Sequence, residues 1–300
     1  MNVIISGMSG FVGQNFSKYL LEKSISPIGL SLRSGDWKNF SKENVAAIVH
    51  LAGKAHDTSN TSSAEEYYHI NRDLTIDIFQ EFVKSEIKDF FYFSSVKAVA
   101  DIVYGELDEG AIAAPLTPYG RSKFEAEQYL LKQALPAGKR LFIIRPCMIH
   151  GPQNKGNLNL LYKVIKKGLP WPLASFDNRR SFLSVDNLSY LLHQILINKN
   201  VSSGIYNFSD DNALSTNDLV SLMSRCLGKK SMLWHISPAL IRSLVKVGDI
   251  LPMPLNSERL KKLTESYVVS NKKVKQALGI EKLPLSAEEG LEKTILSFNI

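Results

Sequence analysis

The stretch that decides the fold lies at the N-terminus and reads Val3-Ile4-Ile5-Ser6-Gly7-Met8-Ser9-Gly10-Phe11-Val12-Gly13. Its first three residues predict a buried strand, and apolar residues at helical spacing predict an amphipathic helix over residues 11–23. Glycines at 7, 10 and 13 allow a tight turn, close approach of a pyrophosphate and close packing of helix on strand. A helix N-terminus also offers free N–H groups to phosphates. In this strand–turn–helix context the stretch predicts a dinucleotide-binding turn, with contacts from Gly7, Gly10, Phe11, Val12 and Gly13.

The end of the second predicted strand, residues 27–32, bears on which dinucleotide binds. An acidic residue about 20 positions after the glycine turn usually holds the adenosine ribose hydroxyls. Here Ser31 stands at that place and Arg33 follows it. Because a guanidinium can pair with a 2′-phosphate, the sequence favours NADP(H) as the cofactor. NAD(H) is the alternative, with Arg33 then only a surface charge.

Short apolar strands alternate with helical patterns along the rest of the chain. Strands are predicted at residues 46–52, 90–93, 141–145, 182–185 and 205–208, and helices at 64–84 and 158–167. This alternation predicts an α/β fold: a Rossmann-type doubly wound parallel sheet with a smaller C-terminal α/β substrate domain. The dinucleotide-binding domain is expected over residues 1–150, with 178–205 returning to it. The substrate domain is expected over 151–177 and 206–300.

Composition limits the other function classes. The net charge of +7 fits a polyanionic partner or an ordinary basic surface, and it does not choose between them. Two cysteines, Cys147 and Cys226, give no disulfide framework and fit a reducing cytosol. We expect no signal peptide and no apolar run long enough to cross a bilayer, so we do not expect the protein to insert into a membrane. No basic–aromatic interleaving predicts nucleic-acid binding, and the histidine spacing predicts no metal.

A tyrosine and a lysine one helical turn apart form a candidate acid–base pair. Thr117 is a good N-cap and Pro118 suits the first turn, so Tyr119 and Lys123 are expected near the start of a helix, on one face. A phenol has an ordinary pKa of about 10. A cation within about 4–6 Å favours the phenolate and lowers that pKa. The pair is therefore expected to be a tuned proton donor and acceptor.

Several ordered motifs together resemble the extended branch of the short-chain dehydrogenase/reductase superfamily, over nearly the whole chain. The glycine turn matches its G-x-x-G-x-x-G, and His50-Leu51-Ala52-Gly53 is similar to its cofactor-lining segment. Asn71 stands where such proteins carry a structural Asn. Arg145-Pro146 with Gly151-Pro152, and the segment from Arg180 to Asp186, resemble two further family segments.

The resemblance implies a role for each matched residue. Tyr119 is the implied acid/base, Lys123 holds the nicotinamide ribose, and Ser95 hydrogen-bonds the reacting oxygen, with Ser94 as runner-up. Further implied cofactor contacts come from Leu51, Ala52, Gly53 and Pro146, and implied substrate contacts from Lys97, Asn157 and Arg180, beside Ser95 and Tyr119. A homodimer is also implied.

The resemblance also implies the type of reaction. Val96-Lys97 occupies the place of the Asp-Glu pair that 4,6-dehydratases need, so dehydration is not expected. The chain is most similar to UDP-sugar reductases, which implies an NAD(P)H-dependent 4-ketoreductase of a UDP-4-keto-6-deoxy-N-acetylhexosamine in surface-glycan biosynthesis. The alternative is a 4-epimerase of UDP-N-acetylglucosamine or UDP-glucose type with retained NAD. A second alternative is a non-catalytic NAD(P)-binding module.

Overall fold

The computed structural model describes residues 1–33, 37, 44–54, 63–153, 157–249 and 256–299. Its strands are β1 Asn2–Ser6, β2 Ser26–Leu30, β3 Val45–His50, β4 Asp89–Phe93, β5 Glu106–Leu107, β6 Arg140–Pro146, β7 Met148–His150, β8 Phe182–Ser184, β9 Gly204–Phe208 and β10 Val268–Val269. Its α-helices are α1 Phe11–Glu22, α2 Ala64–Tyr68, α3 Leu74–Lys84, α4 Pro118–Leu131, α5 Asn157–Lys166, α6 Val185–Ile197, α7 Thr216–Cys226, α8 Pro238–Gly248, α9 Ser257–Thr264, α10 Lys272–Leu278 and α11 Ala287–Leu296.

Six strands form one parallel sheet in the order β2-β1-β3-β4-β6-β9. After β1 the chain adds β2 on one side and then crosses to add β3 on the other. The order therefore reverses between β1 and β3, and open α/β sheets bind ligands beyond the carboxyl ends of their strands at such a point. The glycine turn follows β1 and residues 51–53 follow β3, so both reach this place.

Apolar side chains cover both faces of the sheet. Within β1, Val3 and Ile5 join the cluster that includes Phe16 of α1 and Leu188 of α6. Ile4 points the other way, into the cluster that includes Phe79 of α3. Because alternate residues of a strand face opposite sides, both faces of a doubly wound sheet must be apolar. This arrangement confirms the α/β fold class predicted from the sequence.

A third apolar cluster lies in the C-terminal part of the chain. It joins residues of α5, α7, α8, α9 and α11 with Trp171 and Leu173. The predicted domain boundary between residues 205 and 206 falls inside β9, which is an edge strand of the main sheet. The division into a dinucleotide domain and a substrate domain stays a prediction.

Two predicted elements differ in the structure. The helix expected over residues 64–84 is α2 and α3 joined by a π-helical turn, His69–Asp73. The strand expected at 182–185 ends at Ser184, because the Ser184 hydroxyl accepts a hydrogen bond from Asn187 N and caps α6. That strand pairs with β7 in a separate two-stranded sheet. Among the described residues no helix has the length and apolar character needed to cross a bilayer.

Candidate active site

The turn after β1 is shaped by glycines that other residues cannot replace. Gly7 has φ +72°, and a Cβ there would lie 2.7 Å from the backbone nitrogen of Ala52. A Cβ on Gly13 would lie 2.6 Å from Met8 Cα and would also collide with the carbonyl oxygen of Gly7. Gly7 therefore lets the loop after β3 approach the turn, and Gly13 lets α1 pack against it.

The N-terminus of α1 fits a pyrophosphate. Gly10 is its N-cap, no side chain caps the first turn, and that turn contains no acidic residue. The first amides of the helix and the positive end of its dipole consequently face the turn without a competing side chain. Phe11 and Val12 supply two of those amides, so all five residues predicted for this contact lie in one turn. The residues present fit a dinucleotide bound at this place.

A buried hydrogen-bond chain ties the glycine turn to the loop after β3. Ser6 Oγ accepts from Ala52 N at 3.2 Å and lies 2.6 Å from His50 Nδ1. His50 Nε2 lies 2.9 Å from Thr75 Oγ1, which donates to the carbonyl of Asn71. Since each hydroxyl has one proton, Ser6 donates to Nδ1 and His50 carries its proton on Nε2. Burial lowers the pKa of His50 to about 3, so this neutral form holds at physiological pH.

Asn71 fixes the same loop from the π-helical turn. Its Oδ1 accepts from Lys54 N at 2.8 Å, and its Nδ2 donates to Lys54 O at 3.1 Å and Ser122 Oγ at 3.2 Å. A Cβ on Gly53 would lie 3.0 Å from both Asn71 Oδ1 and Lys123 Nζ. The loop after β3 is therefore held between the π-helical turn and α4.

The Tyr119 hydroxyl meets the hydroxyl of Ser95 beyond the end of β4. The Thr117 hydroxyl accepts from Gly120 N at 3.2 Å and caps α4, with Pro118 in its first turn. This cap sets the start of the helix and so the direction of Tyr119. Ser95 and Tyr119 share a side-chain hydrogen bond. Tyr67 packs edge-on against the Tyr119 ring, with centroids 6.1 Å apart.

Lys123 is buried one turn further along α4. Its Nζ donates to Phe93 O at 2.7 Å and lies 5.0 Å from the centre of the Tyr92 ring. Burial lowers the pKa of this ammonium to about 7, and Glu127 opposes the shift. Lys123 therefore gives up its proton more readily than an exposed lysine does.

The pKa of Tyr119 differs from the expectation that Lys123 would lower it. Burial raises the pKa of Tyr119, and the Ser95 hydrogen bond only partly opposes that rise. The reason is physical: Lys123 is itself desolvated, and its ammonium is directed to the Phe93 carbonyl. The site therefore favours the neutral phenol, which is the form of Tyr119 that can donate a proton.

A buried ion pair beneath this site was missed by sequence reasoning. Arg145 Nη2 and Glu127 Oε2 are 2.5 Å apart, and both side chains are almost fully buried. The Ser94 hydroxyl also donates to Glu127 Oε1. The signal was present in the sequence, because Glu127 follows Lys123 by four residues and so shares its helix face. In the structure, therefore, the Ser95 side chain hydrogen-bonds Tyr119, whereas the Ser94 hydroxyl hydrogen-bonds Glu127.

Two basic residues predicted to contact substrate lie together at one side of the site. Lys97 Nζ donates to Asp101 O at 3.0 Å and lies 4.2 Å from the centre of the Tyr267 ring. Burial lowers the pKa of Lys97, and the nearby charge of Arg180 adds to this effect. Arg180 is itself engaged, since it donates to the carbonyls of Glu265 at 3.0 Å and of Lys262.

The remaining predicted residues are placed as follows. Ser31 and Arg33 are exposed just beyond the end of β2, on the side of the glycine turn. Pro146 ends β6 beside Phe208 of β9. Leu51 donates its amide to Ser6 O at 3.1 Å. The side chain of Asn157 lies outside the described residues. Within the described part of the chain no group of three His, Cys, Asp or Glu residues could hold a metal ion.

Comparison with known proteins gives one family. A model described as "NAD dependent epimerase/dehydratase family" matches residues 3–209. A UDP-glucose 4-epimerase of Vibrio cholerae is 27% identical, with 99% of this chain and 95% of that protein covered. An N-acetyl-alpha-D-glucosaminyl-diphospho-ditrans,octacis-undecaprenol 4-epimerase of Escherichia coli O157:H7 is also 27% identical, and the match covers 98% of this chain and 94% of that protein. A GDP-6-deoxy-D-mannose reductase of Pseudomonas aeruginosa is 25% identical, and the match covers 74% of this chain and 79% of that protein.

Solved structures agree on the fold. RMD from Pseudomonas aeruginosa, complexed with NADPH, superposes with a TM-score of 0.74 at 20% identity, covering 99% of this chain and 98% of that one. A UDP-glucuronic acid 4-epimerase from Bacillus cereus, in complex with NAD, gives a TM-score of 0.73 at 16% identity, covering 100% and 99%. Proteins of this fold thus include both an NADPH complex and an NAD complex.

Proposed function

Because the chain belongs to the NAD dependent epimerase/dehydratase family, we propose that it is an NAD(P)-dependent oxidoreductase acting at C4 of a nucleotide-linked sugar. The observation that carries this proposal is the hydrogen-bonded pair of Ser95 and Tyr119, one helical turn from the buried Lys123. The same face of α4 approaches Gly53 at the carboxyl end of β3, beside the glycine turn. Acid–base groups and a dinucleotide cradle therefore meet at the switch point of the sheet.

The roles of the site residues follow from their chemistry. The nicotinamide supplies or accepts a hydride at the sugar carbon. During reduction the Tyr119 hydroxyl gives its proton to the oxygen on C4 while the ketone becomes an alcohol, and the Ser95 hydroxyl hydrogen-bonds that oxygen. The phenolate that remains regains a proton from solvent. Lys123 also holds the ribose, while Leu51, Ala52, Gly53 and Pro146 line the cofactor.

The finer proposal is a reductase of a UDP-4-keto-6-deoxy-N-acetylhexosamine that uses NADP(H). Two features support it: Arg33 lies exposed beyond β2 in the absence of a carboxylate at Ser31, and Val96-Lys97 stands in place of an Asp-Glu pair. Lys97, Arg180 and Asn157 are the proposed contacts to the substrate. For Arg180 this requires the guanidinium to contact substrate while it holds two backbone carbonyls.

A 4-epimerase is the second candidate, and the similarity to the Vibrio cholerae and Escherichia coli epimerases favours it. An epimerase oxidises C4 and reduces it on the other face, so it uses the same Tyr119 in both directions. Unlike the reductase, it consumes no cofactor overall. The two candidates therefore differ in cofactor stoichiometry, which can be measured directly.

One experiment separates the candidates. The purified protein is given NADPH with UDP-4-keto-6-deoxy-N-acetylhexosamine, or catalytic NAD with UDP-N-acetylglucosamine and with UDP-glucose. The products are then identified by NMR. The reductase proposal predicts one NADPH oxidised for each 4-keto sugar consumed. Interconversion of two UDP-sugars without net cofactor consumption would identify the epimerase. If the protein binds a dinucleotide but turns over no substrate in any mixture, the result would support the non-catalytic NAD(P)-binding module.

A further inference from the structure

The phenol of Tyr267 reaches from the C-terminal part of the chain to the turn that follows Ser95. Tyr267 directly precedes β10, and its hydroxyl oxygen lies 2.7 Å from Ala100 O and 3.2 Å from Val96 O. A phenol has one proton, so the hydroxyl donates to the nearer carbonyl, that of Ala100, and lies within reach of the other. The two ends of the turn are therefore joined by a side chain that is 167 residues further along the sequence.

The turn that Tyr267 contacts carries the Ser95 hydroxyl into the site. Its first residues form one turn of 3₁₀ helix, Val96–Ala98, whose N-cap is Ser95. Lys97 N donates to Ser95 Oγ at 3.2 Å, so the position of the Ser95 oxygen depends on where this turn lies. A displacement of the turn would consequently move the Ser95 hydroxyl relative to Tyr119, with which it shares a hydrogen bond.

The start of α4 is a second support for the same turn. A Cβ on Gly120 would collide with the carbonyl oxygen of Lys97 and would lie 3.0 Å from the Pro115 side chain. Because glycine has no Cβ, the backbone of the turn approaches α4 directly, next to Tyr119. The turn is thus held by the first residues of α4 and by Tyr267.

The ring of Tyr267 contacts Lys97, which is proposed to meet the substrate. The Lys97 ammonium lies 4.2 Å from the centre of that ring and donates to Asp101 O at 3.0 Å. An aromatic face attracts a cation, and more strongly where the two are desolvated; both of these side chains are partly buried. The hydroxyl of Tyr267 therefore acts on the backbone of the turn, whereas its ring acts on the Lys97 ammonium.

The backbone of Tyr267 is fixed beside Arg180, another proposed substrate contact. Tyr267 N donates to Arg179 O at 2.7 Å, and Ser181 N donates to Tyr267 O at 2.9 Å. These two bonds form a parallel bridge between Tyr267 and Arg180. One tyrosine therefore links proposed substrate contacts that come from two distant segments of the chain.

We propose that Tyr267 is a positioning residue, which fixes the Ser95 hydroxyl for the reaction and the Lys97 ammonium for the substrate. It acts through these two side chains and takes no part in proton transfer, because its own proton is engaged by Ala100 O. This role rests on the proposed function, from which Ser95 and Lys97 receive theirs. Since a misplacement of about 1 Å can cost about 10²-fold in rate, a rigid support for Ser95 bears directly on kcat.

Two substitutions separate the hydroxyl of Tyr267 from its ring. Tyr267→Phe keeps the ring, so kcat is expected to fall about 10–100-fold with the substrate that the unaltered protein turns over, while KM changes less than about twofold. Tyr267→Leu removes the ring as well and is expected to raise KM about fivefold in addition. Tyr206→Phe is the matched control, because the Tyr206 hydroxyl also donates to a backbone carbonyl, Ser202 O at 2.8 Å, outside the site. Its kcat and KM should equal those of the unaltered protein.

A double variant distinguishes positioning from a general loss of structure. In a Ser95→Ala background the hydroxyl that Tyr267 positions is gone, so Tyr267→Phe should lower kcat less than about twofold there. A merely structural effect would lower kcat by the same factor in both backgrounds. That result, or an unchanged kcat for Tyr267→Phe alone, would overturn the proposal.

Hydrogen exchange gives a readout that needs no substrate. The amides of residues 94–101, followed by mass spectrometry of their peptides, should exchange about tenfold faster in Tyr267→Phe and at the unaltered rate in Tyr206→Phe. Equal exchange in Tyr267→Phe and the unaltered protein would overturn the proposal, whether or not a substrate is turned over. Absence of turnover by the unaltered protein with every substrate named above would instead contradict the proposed function, and with it the role of Tyr267 in the reaction.

Discussion

At the scale of single residues, burial sets the chemistry of the site. Burial raises the pKa of Tyr119, the proposed proton donor, and lowers the pKa of the Lys123 ammonium to about 7. Each shift favours the uncharged form, as desolvation does for any titratable group. Near neutral pH Tyr119 is therefore held as the neutral phenol, which can donate a proton, while Lys123 loses its charge more readily than an exposed lysine does.

Removal of one hydroxyl tests the role of Tyr119. Tyr119→Phe is expected to lower kcat by about 10²–10⁴, because general acid–base catalysis contributes that much. Dinucleotide binding should change little, since the ring stays in place. Tyr104→Phe is the matched control, as that side chain is 93% exposed. An unchanged kcat for Tyr119→Phe would remove this residue from the reaction.

Replacement of the buried ammonium changes the pH dependence of stability. Between pH 7 and 10.5 the unfolded chain binds a proton at Lys123 that the folded chain lacks, so raising the pH stabilises the fold. Below pH 7 both states are protonated and the full cost of burial applies. Relative to Lys123→Met, the unaltered protein should gain up to about 1.4 kcal/mol of unfolding free energy per pH unit in this window.

Urea unfolding at several pH values measures this difference. Lys132→Met, at the exposed end of α4, should show no such trend. A difference between the unaltered protein and Lys123→Met that stays constant from pH 7 to 10 would contradict the buried state of this lysine.

At the scale of elements, the site depends on contacts between segments that are distant in sequence. The π-helical turn places Asn71 against Lys54, 17 residues before it. α4 is held from below by the ion pair of Glu127 with Arg145 of β6. π-helical turns often occur at functional sites, and here the turn fixes the loop that approaches Lys123.

The ion pair beneath α4 should contribute strongly to stability. Glu127→Gln leaves Arg145 as a buried charge without a counter-ion, so we expect a loss of about 3–5 kcal/mol in unfolding free energy. Glu125→Gln on the same helix is the control: Glu125 pairs with Arg72, both are partly exposed, and its loss should cost under about 1 kcal/mol. Equal losses in urea unfolding would mean that the Glu127 pair is not desolvated as the structure indicates.

The sequence predicted elements whose causes are local. The glycine turn, the cap at Thr117 and the alternation of strands and helices depend on neighbouring residues, and the structure contains all of them. The π-helical turn was missed because it depends on Asn71 bonding a distant loop. The Glu127–Arg145 pair and the pKa of Lys123 were missed because both result from burial among several elements. β8 was predicted as a strand, but its pairing with β7 has no local signal.

At the scale of the whole molecule, the proposed preference for NADP(H) depends on the residues that follow β2. Arg33 is exposed there, and a guanidinium paired with a 2′-phosphate contributes on the order of 1.5–3 kcal/mol. Arg33→Ser is therefore expected to weaken NADPH binding about 10–100-fold and to leave NADH binding unchanged. Lys18→Gln serves as the control. Titration by fluorescence measures both dissociation constants, and tighter binding of NADH than NADPH to the unaltered protein would contradict the preference.

The proposed reaction uses both halves of the site: a nicotinamide bound at the glycine turn exchanges a hydride with the sugar carbon whose oxygen takes a proton from Tyr119. The most direct measurement supplies NADPH labelled with deuterium at the transferable position, together with UDP-4-keto-6-deoxy-N-acetylhexosamine, and locates the label by NMR. We predict deuterium on C4 of the product sugar, formed far more slowly by Tyr119→Phe. A product without deuterium at C4, or equal transfer by Tyr119→Phe, would contradict the claim.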